Sequence, residues 1–258
     1  LTAADYYGMS RVVDYFAPEF SHDIRITFGN PSASARDPRH AALAIPRRST
    51  NRAPYDEPFD DTSFCDWIKG LSSDVISIDV ISDGVKKGKI ADVVSNALVA
   101  AMDNPEFRHE LSQYIKSNVT ASPIGMTMNA FGMPTPVSLF ASFILRRWNV
   151  NKKTLSQDRE LLTKHTPYFV VISAREDRPL DWLHVGELYE ESALEATLRG
   201  LSTAPMTASI EIGDYYKQLQ NILGTSFRPH MFFRLGRAKT ASPHGPRLRA
   251  EEIIEYTA

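Results

Sequence analysis

The feature that most constrains this fold is residues 184–207, which read HVGELYEESALEATLRGLSTAPMT. Their charged side chains recur every four residues, the spacing of one face of an α-helix: Glu187, Glu191, Glu195 and Arg199. Most other positions are apolar or small, which predicts a helix that lies inside the protein. Gly200 stands where a left-handed C-cap belongs, so the helix is predicted to end there and a short loop, LSTAPMT, to follow. Such a loop can bring backbone N–H groups to a flat ligand, although a core helix followed by an ordinary turn fits this stretch equally well.

Composition limits the classes of function that need to be considered. The chain has 258 residues, of which 43% are hydrophobic and 23% charged, enough for one large domain or two small ones. The net charge of −2 and the pI of about 6.4 argue against nucleic acid and membrane as partners. Cys65 is the only cysteine, so there is no disulfide framework, and it is predicted to be a small core residue. No apolar run is long enough to span a bilayer and no signal peptide is visible, so we expect a cytoplasmic protein. Because the first residue is Leu1 rather than Met, removal of an upstream segment stays open.

The remaining sequence predicts helices interspersed with short strands. Helices are predicted at residues 1–16, 61–71, 87–102, 104–117, 155–165 and 215–223. Strands are predicted at residues 24–28, 75–82, 167–174 and 230–235, with a further extended piece at 208–212. Residues 30–40 are rich in Pro, Ser and Asp and are predicted to be a linker. This order of elements predicts an α+β or α/β sandwich, without a regular succession of βαβ units.

Residues 121–148 differ from the rest of the chain because they are rich in Pro, Gly and Met. They include SPIGMTMNAFGMPTPVSLF, which makes poor regular structure but is too apolar for a solvated linker. We interpret this segment, called the flap below, as a cover over a ligand. An irregular connection packed on the core is the alternative, since methionines often serve as core fillers.

Few common signatures of catalytic sites occur in the sequence. GxSxG and GxGxxG are absent, and the histidines show no metal-binding spacing, so we predict no catalytic side chain and no metal site. Two basic clusters remain, one around two hydroxyl residues and one in the tail: Arg47, Arg48, Ser49, Thr50 and Arg52, then Arg247 and Arg249. Arginines beside a hydroxyl suit a phosphate monoester, which accepts charge-assisted bonds. Each cluster alone is explained by solvated surface, whereas the two together with the buried helix favour a phosphate-bearing planar cofactor.

Four stretches, taken in order, resemble the nitroreductase family of FMN-binding flavoproteins. They are RRSTNR with APYDEPF, the helix that runs into GLSTAPMT, RPHMFFRLGRA, and PHGPRLRAEEII. The resemblance is greatest to the branch with two fused, diverged half-repeats, to which the mycobacterial dormancy-associated nitroreductase-like protein belongs. It implies that residues 1–43 are a remnant of the first half plus a linker, and that residues 44–258 are the flavin-binding domain. It also implies an α+β fold, in which a mixed sheet flanked by helices packs around a buried central helix.

The resemblance assigns roles to particular residues. The phosphate and ribityl contacts of FMN fall by position to Arg47, Ser49 and Arg52, with Arg48 as a further candidate. The C-terminal basic residues that also hold the phosphate match Arg247 and Arg249. The loop whose backbone lies against the flavin ring matches Pro205, Met206 and Thr207. FMN is predicted rather than FAD, because the arginine clusters suit one terminal phosphate and nothing resembles an adenine-binding fingerprint.

The chemistry implied by the resemblance is electron transfer through the cofactor. NAD(P)H delivers hydride to the flavin, which passes electrons to a nitro compound or quinone without a protein acid or base. The predicted function is therefore an FMN-dependent oxidoreductase of nitroreductase type. A flavin-sequestering or storage protein with little reductase activity is the alternative, favoured by the long flap. A structural domain that has lost flavin is a third possibility.

One part of the family pattern is missing. The family uses a Pro-Ser…Asn…Gln-Pro-Trp stretch to supply amide contacts to the ring, and none of Trp67, Trp148 and Trp182 follows Gln-Pro. A buried polar ring edge without partners costs about 1–3 kcal/mol per unsatisfied group. We therefore expect residues upstream of Leu1, or a second chain in a homodimer or pseudo-dimer, to complete the site.

Overall fold

The computed structural model describes residues 1–15, 24–31, 40–57, 59, 61–147, 151–245 and 248–254, apart from the side chains of residues 151–157. Its helices are α1 (Thr2–Tyr6), α2 (Thr62–Gly70), α3 (Gly84–Asp103), α4 (Pro105–Tyr114), α5 (Thr135–Ser138), α6 (Ala141–Arg147), α7 (Asn151–Lys164), α8 (Pro179–Leu198), α9 (Ala208–Glu211) and α10 (Tyr215–Leu223). Its strands are β1 (Met9–Tyr15), β2 (Ile24–Pro31), β3 (Ile76–Ile81), β4 (Ile115–Lys116), β5 (Met126–Thr127), β6 (Tyr168–Ala174), β7 (Ser202–Pro205) and β8 (Arg228–Gly236). Single turns of 3-10 helix form at Ala41–Ala44, Met128–Phe131 and Ala250–Glu252. In this described part of the chain, no helix is both long enough and apolar enough to cross a membrane.

Four strands form the central sheet in the order β3–β6–β8–β7, and each neighbouring pair is antiparallel. A parallel bridge between Thr50 and Thr203 joins the first basic cluster to the β7 edge. The middle strands, β6 and β8, are buried along most of their length, as their apolar sequences predicted. The hairpin β1–β2 and the parallel pair β4–β5 lie outside this sheet.

Helices cover both faces of the sheet and enclose two apolar cores. Successive residues of a strand point to opposite faces, so Val170 and Ile172 join one core and Phe169 and Val171 join the other. The first core is completed by α2 and α8, and the second by α3, α7, α9 and α10. The α+β sandwich predicted from the sequence is confirmed.

The predicted central helix is α8, which begins at Pro179, five residues before the predicted stretch. Its C-terminal half is buried as expected: Ser192, Ala193, Leu194 and Ala196 are each no more than 2% exposed. Its N-terminal half is more open, and Trp182 is 51% exposed. The prediction of a loop after Gly200 is wrong for residues 202–205, which form β7 and pair with β8. The pairing with β8 buries Thr203 and Ala204. The small residues of this stretch did not predict a strand, because its stabilisation comes from the neighbouring strand.

Gly200 ends α8 in the predicted left-handed conformation, with a φ of 70°. The N–H of Gly200 donates to the carbonyl of Thr197 at 3.1 Å, and the N–H of Leu201 donates to that of Ala196 at 2.8 Å. These two bonds are the Schellman arrangement, which satisfies carbonyl groups at a helix end. The turn directs the chain into β7 and so sets where residues 205–207 lie.

Replacing Gly200 with alanine is expected to lower the free energy of unfolding by about 1–2 kcal/mol, because an L side chain is strained at this φ. Gly186→Ala in the same helix is the matched control. A Cβ at Gly186 meets nothing within 4 Å, and its φ is not positive, so this change should stabilise the protein by about 0.5–1 kcal/mol. Urea unfolding of both variants provides the measurement, and effects of the same sign would contradict the assigned role of Gly200.

Two further elements were predicted wrongly, at residues 1–16 and 208–212. Residues 1–16 are not one helix: α1 ends at Tyr6, Gly8 has a φ of 66°, and β1 follows. The β-branched residues Val12 and Val13 favour a strand, and they pair there with β2. The extended piece predicted at residues 208–212 is instead the single turn α9, whose start is held by bonds to the carbonyl of Thr207. The predicted linker of residues 30–40 lies mostly outside the described residues, and Asn30 and Pro31 belong to β2.

Candidate functional site

The basic loop, residues 46–55, is fixed to the sheet by Asn51. The backbone N–H of Asn51 donates to the carbonyl of Thr203 at 3.1 Å, which anchors the loop to β7. Its side-chain amide donates to the carbonyl of Thr240 at 2.8 Å, and its side-chain oxygen accepts from the N–H of Ala53 at 3.0 Å. Asn51 is only 4% exposed. Asn51 therefore joins the basic loop to the sheet through its backbone N–H and to the C-terminal tail through its side-chain amide.

A second buried residue, Arg234 of β8, donates hydrogen bonds to the backbone of the same loop. Its guanidinium donates to the carbonyl of Asn51 at 3.3 Å and to that of Ala53 at 3.4 Å. It lies 4.5 Å from the centroid of the Tyr55 ring, and the Tyr55 hydroxyl in turn donates to the Asn51 carbonyl at 2.6 Å. Arg234 is 1% exposed, and this burial lowers the pKa of its guanidinium. The same burial raises the pKa of Tyr55, so the hydroxyl stays protonated and remains a donor.

In the sequence, Arg52 lies between Asn51 and Ala53, whose carbonyl groups accept hydrogen bonds from Arg234. Its side chain is half-buried, and this burial lowers the pKa of its guanidinium. One guanidinium nitrogen contacts the sulfur of Met126 at 3.7 Å, and the group lies 4.8 Å from the centroid of the Phe131 ring. Across the described part of the chain, no acidic side chain forms an ion pair with it. A half-buried cation without a described carboxylate partner is a candidate binding site for an anion, since an anion would supply the missing charge.

The other two arginines of the loop differ from Arg52. Arg48 forms an ion pair with Glu190 of α8, at 3.0 Å between Nε and the carboxylate. Arg47 is exposed, and its Nε donates to the carbonyl of Leu43 at 3.1 Å, which leaves its two terminal nitrogens for a ligand. The structure therefore makes Arg52 and Arg47 the better candidates for a phosphate and Arg48 the weaker one.

A small pocket of about 230 Å³ opens beside the basic loop. It is lined mainly by hydroxyl-bearing and small residues of three segments: Arg47, Ser49 and Asn51, then Thr197 and Gly200–Ser202, then Ala238 and Thr240–Ser242. Sites for drug-sized ligands occupy about 300–1,000 Å³. The pocket is thus smaller than a whole flavin nucleotide requires. It brings Arg47 and Ser49 together, whereas Arg52 does not line it.

Residues 205–207 offer fewer backbone donors than the sequence predicted. Pro205 has no N–H, and the N–H of Met206 already donates to the carbonyl of Phe232 at 2.9 Å. The side chain of Met206 packs against the second core. Among the described hydrogen bonds, none uses the N–H of Thr207, which is therefore the one donor this segment can offer to a ring. One donor is used because the pairing of β7 with β8 continues to the N–H of Met206. The assignment of residues 205–207 to the ring stays a prediction.

Of the two C-terminal arginines, only Arg249 can be placed relative to the basic loop, because Arg247 lies outside the described residues. Arg249 is exposed, and its backbone N–H donates to the Glu252 carboxylate at 2.7 Å. No described contact brings the side chain of Arg249 to the basic loop. The link between tail and loop that the structure does contain is the bond from Asn51 to Thr240.

The flap has more regular structure than its composition suggested. It contains β5, the 3-10 turn Met128–Phe131, α5 and α6, and β5 pairs in parallel with β4. It also exposes large apolar side chains, including Phe140 at 62% and Phe143 at 61%. Its two contacts with Arg52, through Met126 and Phe131, place part of it against the candidate anion site. Whether it covers a flavin ring stays a prediction.

Limited proteolysis tests the flap directly. If Met126 and Phe131 close on a ligand held by Arg52, FMN should slow cleavage within residues 121–147. The exposed turn around Gly213 serves as the internal control, because none of its described hydrogen bonds involves the flap or Arg52 and its cleavage should be independent of FMN. Equal cleavage of the flap with and without FMN would show that it does not close on the cofactor.

Sequence reasoning missed the two residues that organise the basic loop, Asn51 and Arg234. A signal for Arg234 was present, since it is the one charged side chain inside the apolar strand HMFFRL. A charge at such a position is costly unless it holds several acceptors, as Arg234 does. Asn51 carried no comparable signal, because its partners Thr203 and Thr240 are far away in sequence. In the described residues, no group of three or more His, Cys, Asp or Glu is placed to hold a metal ion.

Solved structures of several proteins share this fold. NfnB, an FMN- and NADPH-dependent nitroreductase from Sphingopyxis sp. strain HMH, superposes with a TM-score of 0.54 at 17% sequence identity, over 84% of this chain and 99% of its own. Iodotyrosine deiodinase, bound to FMN and 3-iodo-L-tyrosine, gives a TM-score of 0.53 at 14% identity, over 84% of this chain and 99% of its own. Nitroreductase A from Vibrio parahaemolyticus gives 0.51 at 12% identity, over 84% and 75% of the two chains. This likeness establishes a nitroreductase-like α+β fold.

Similarity in sequence is found to two proteins of Mycobacterium tuberculosis. The uncharacterized proteins Rv3127 (strain H37Rv) and MT3212 (strain CDC 1551) are each 26% identical to this chain over 202 residues, which is 78% of this chain and 56% of theirs. The chain thus spans about half the length of the curated relatives that it matches. No protein-family model matches it.

Proposed function

We propose that this protein is a cytoplasmic FMN-dependent oxidoreductase of nitroreductase type. In this proposal it takes electrons from NAD(P)H and passes them to nitro compounds or quinones. The observation that carries the proposal is Arg52, a half-buried cation with no described carboxylate partner, set in a loop anchored to a nitroreductase-like sheet. The fold alone is compatible with many activities, so the proposal depends on this site.

The residues present fit the phosphate end of FMN. Arg52 and the terminal nitrogens of Arg47 can each donate charge-assisted bonds to phosphate oxygens. Arg47 and Ser49 line the pocket beside the loop, and Arg52 does not. Thr207 can offer one backbone N–H toward the ring. The polar edge of the ring needs further donors and acceptors. We therefore propose that a second chain or another part of the protein completes the site, as a homodimer or pseudo-dimer.

Within that site the protein binds and orients, and the cofactor supplies the electron chemistry. A bound FMN would accept hydride from NAD(P)H and reduce the electron acceptor. Arg52 and Arg47 would hold its phosphate, and Asn51 and Arg234 would keep the loop that carries Arg52 in place. Met126 and Phe131 would limit access of water on the flap side of Arg52. No side chain of the site is assigned a proton-transfer role.

We also assign the chain to the branch with two fused half-repeats. The chain matches 56% of the length of two M. tuberculosis proteins, so each of them is long enough to hold a further half-repeat beside the matched part. In this arrangement residues 1–43 are the remnant of the first half with its linker, and residues 44–258 form the flavin-binding domain. The exposed hairpin β1–β2, with Val12 at 61% and Phe28 at 49% exposure, is then the connection toward the other half.

The contacts of the flap favour one alternative, a protein that sequesters flavin. Met126 and Phe131 both contact Arg52, so the flap approaches the site before any ligand is considered. A flap that stays closed would keep nicotinamide away from a bound flavin and leave little reductase activity. The two functions thus differ in whether the flap opens for NAD(P)H.

Anaerobic rapid mixing with NADPH or NADH separates the two functions. The oxidoreductase predicts that the flavin absorbance of the FMN-loaded protein is lost faster than that of free FMN. Sequestration predicts slower loss than for free FMN, and acceleration when Phe131→Ala removes one flap contact with Arg52. Slow loss of the flavin absorbance in both the wild type and Phe131→Ala would overturn the oxidoreductase assignment.

A further inference from the structure

We propose that Arg234 is the positioning residue of the phosphate site: from β8 it holds the carbonyl groups on both sides of Arg52 and so fixes where the Arg52 side chain leaves the loop. This inference rests on the proposed function, because it concerns the same site. Arg234 itself is buried and does not contact a ligand. Its effect on binding is therefore exerted through Arg52.

The contacts of Arg234 converge on a short length of backbone. Both terminal nitrogens donate to the carbonyl of Ala53, at 3.4 Å, and one also donates to that of Asn51, at 3.3 Å. A fourth bond, at 3.4 Å, runs from Arg234 to the hydroxyl of Thr166 in the turn before β6. Because residues 51 and 53 flank Arg52, holding both carbonyls restricts the backbone dihedrals of Arg52 itself. A planar fork of donors can satisfy two carbonyls at once, which an ammonium group cannot do with the same geometry.

The positive charge of Arg234, like its hydrogen bonds, favours the binding of an anion at Arg52. Its positive charge and that of Arg52 repel, and this repulsion further lowers the pKa of Arg234. The favourable interactions of its charge come from Tyr55 and Asp158, and no described carboxylate forms an ion pair with it. Lys87 is a third buried cation in this region and donates to the carbonyls of Thr166 and Pro167. Arg234 and Lys87 thus place two positive charges near one half-buried carboxylate, Asp158, and this excess favours an anion at Arg52.

Stability alone does not explain a guanidinium at this position. Its neighbours along the strand, Phe233 and Leu235, are fully buried apolar residues. Burying a charge costs several kcal/mol, and well-packed apolar residues often give equal or greater stability in its place. What an apolar residue cannot provide is the set of bonds to the carbonyls of Asn51 and Ala53. The structure therefore ties Arg234 to the placement of the loop.

The test compares binding of FMN and of riboflavin, which lacks the phosphate, to four variants. Arg234→Met is expected to weaken FMN binding about tenfold or more, the equivalent of one lost charge-assisted bond, and to leave riboflavin binding unchanged. Arg52→Met should behave in the same way. The double variant should be no weaker than Arg52→Met by more than about twofold, because both changes remove the same interaction. Arg228→Met, the same substitution at the other end of β8, where Arg228 pairs with Asp177, is the control and should bind both ligands normally.

Unchanged FMN affinity in Arg234→Met would overturn the proposal, and so would an equal loss of FMN and riboflavin affinity, which indicates a purely structural role. If Arg234→Met does not fold, Arg234→Lys replaces it: the charge remains but the fork is lost, and FMN affinity should fall about threefold or more. Unchanged affinity in that variant would also overturn the proposal.

Failure of the proposed function is recognised separately with inorganic phosphate as the probe. A wild-type protein that binds no FMN, but whose Tm rises with phosphate, would contradict the function and keep the anion site. Arg234 is then tested by whether Arg234→Met abolishes that rise. A rise that persists in Arg234→Met, or no rise in the wild type, would contradict the role of Arg234.

Discussion

Replacing Arg52 with methionine is expected to weaken FMN binding by about 2–3 kcal/mol, roughly 30- to 150-fold. The guanidinium of Arg52 is half-buried and has no described acidic partner, so its bonds to a phosphate are not in competition with an internal ion pair. Charge-assisted hydrogen bonds of this kind contribute about 1.5–3 kcal/mol each. The flap contacts from Met126 and Phe131 exclude water from the same guanidinium and strengthen its attraction for an anion.

The matched control is Arg48→Met, four residues earlier in the same loop. Arg48 is already paired with Glu190 at 3.0 Å, so its loss should change FMN affinity by less than about 1 kcal/mol. Fluorescence titration of FMN into both variants gives the comparison. Equal losses would mean that the ion pair with Glu190 opens when the ligand binds, and would contradict the distinction made between these two arginines.

Replacing Asn51 with alanine is expected to destabilise the protein by about 1.5–3 kcal/mol and to weaken FMN binding at the same time. The substitution removes the bond to the carbonyl of Thr240 and leaves the N–H of Ala53 without its acceptor. Leaving a buried polar group unsatisfied costs about 1–3 kcal/mol. Affinity should fall as well, because the loop that carries Arg52 loses one of its attachments to the tail.

Asn104→Ala is the control for Asn51→Ala. Asn104 caps α4 by accepting from the N–H of Glu106 at 2.9 Å, and loss of an exposed N-cap costs about 1 kcal/mol. That variant should be less stable but should bind FMN as the wild type does. Thermal unfolding and FMN titration of both variants provide the measurements. If Asn51→Ala loses stability without losing affinity, Asn51 does not serve the site.

The sequence predicted those elements whose pattern is set by local rules. The apolar runs at residues 167–174 and 230–235 correspond to β6 and β8, and α10 ends at residue 223 as predicted, where Gly224 takes a φ of 74°. Gly200 likewise ends α8 in the left-handed conformation. In each case the information lies within a few residues, in a periodicity or in the one residue type that accepts a positive φ.

Elements whose conformation depends on distant partners were not predicted. β7 is a strand because β8 pairs with it, and β1 is a strand because β2 pairs with it. The spacing of apolar residues in 1–16 suited a helix equally well, and no local feature identified the hairpin. Strand propensity depends strongly on such context.

The candidate site shows the same limit. The arginines of the basic loop were identified from their residue type, but the sequence could not distinguish Arg48 from Arg52. That distinction comes from Glu190, which α8 brings to Arg48, and from the absence of a described acid at Arg52. Asn51 and Arg234 were missed because their role is to join segments that are far apart in the chain. The assignments of Arg47, Ser49, Arg52 and residues 205–207 to the cofactor stay predictions.

The central claim is that this protein binds FMN through the phosphate site at Arg52, in an assembly that completes the site for the ring. Titration of FMN into the protein, with molar mass measured by light scattering on the same samples, tests that claim most directly. We expect saturable binding of FMN, with affinity that rises with chain concentration as a dimer forms, and loss of that binding in Arg52→Met. Tight, stoichiometric binding by residues 1–258 as a monomer would contradict the proposal that a second chain or another part of the protein completes the site. FMN that stays free in solution at every chain concentration and every measured mass would contradict the claim as a whole.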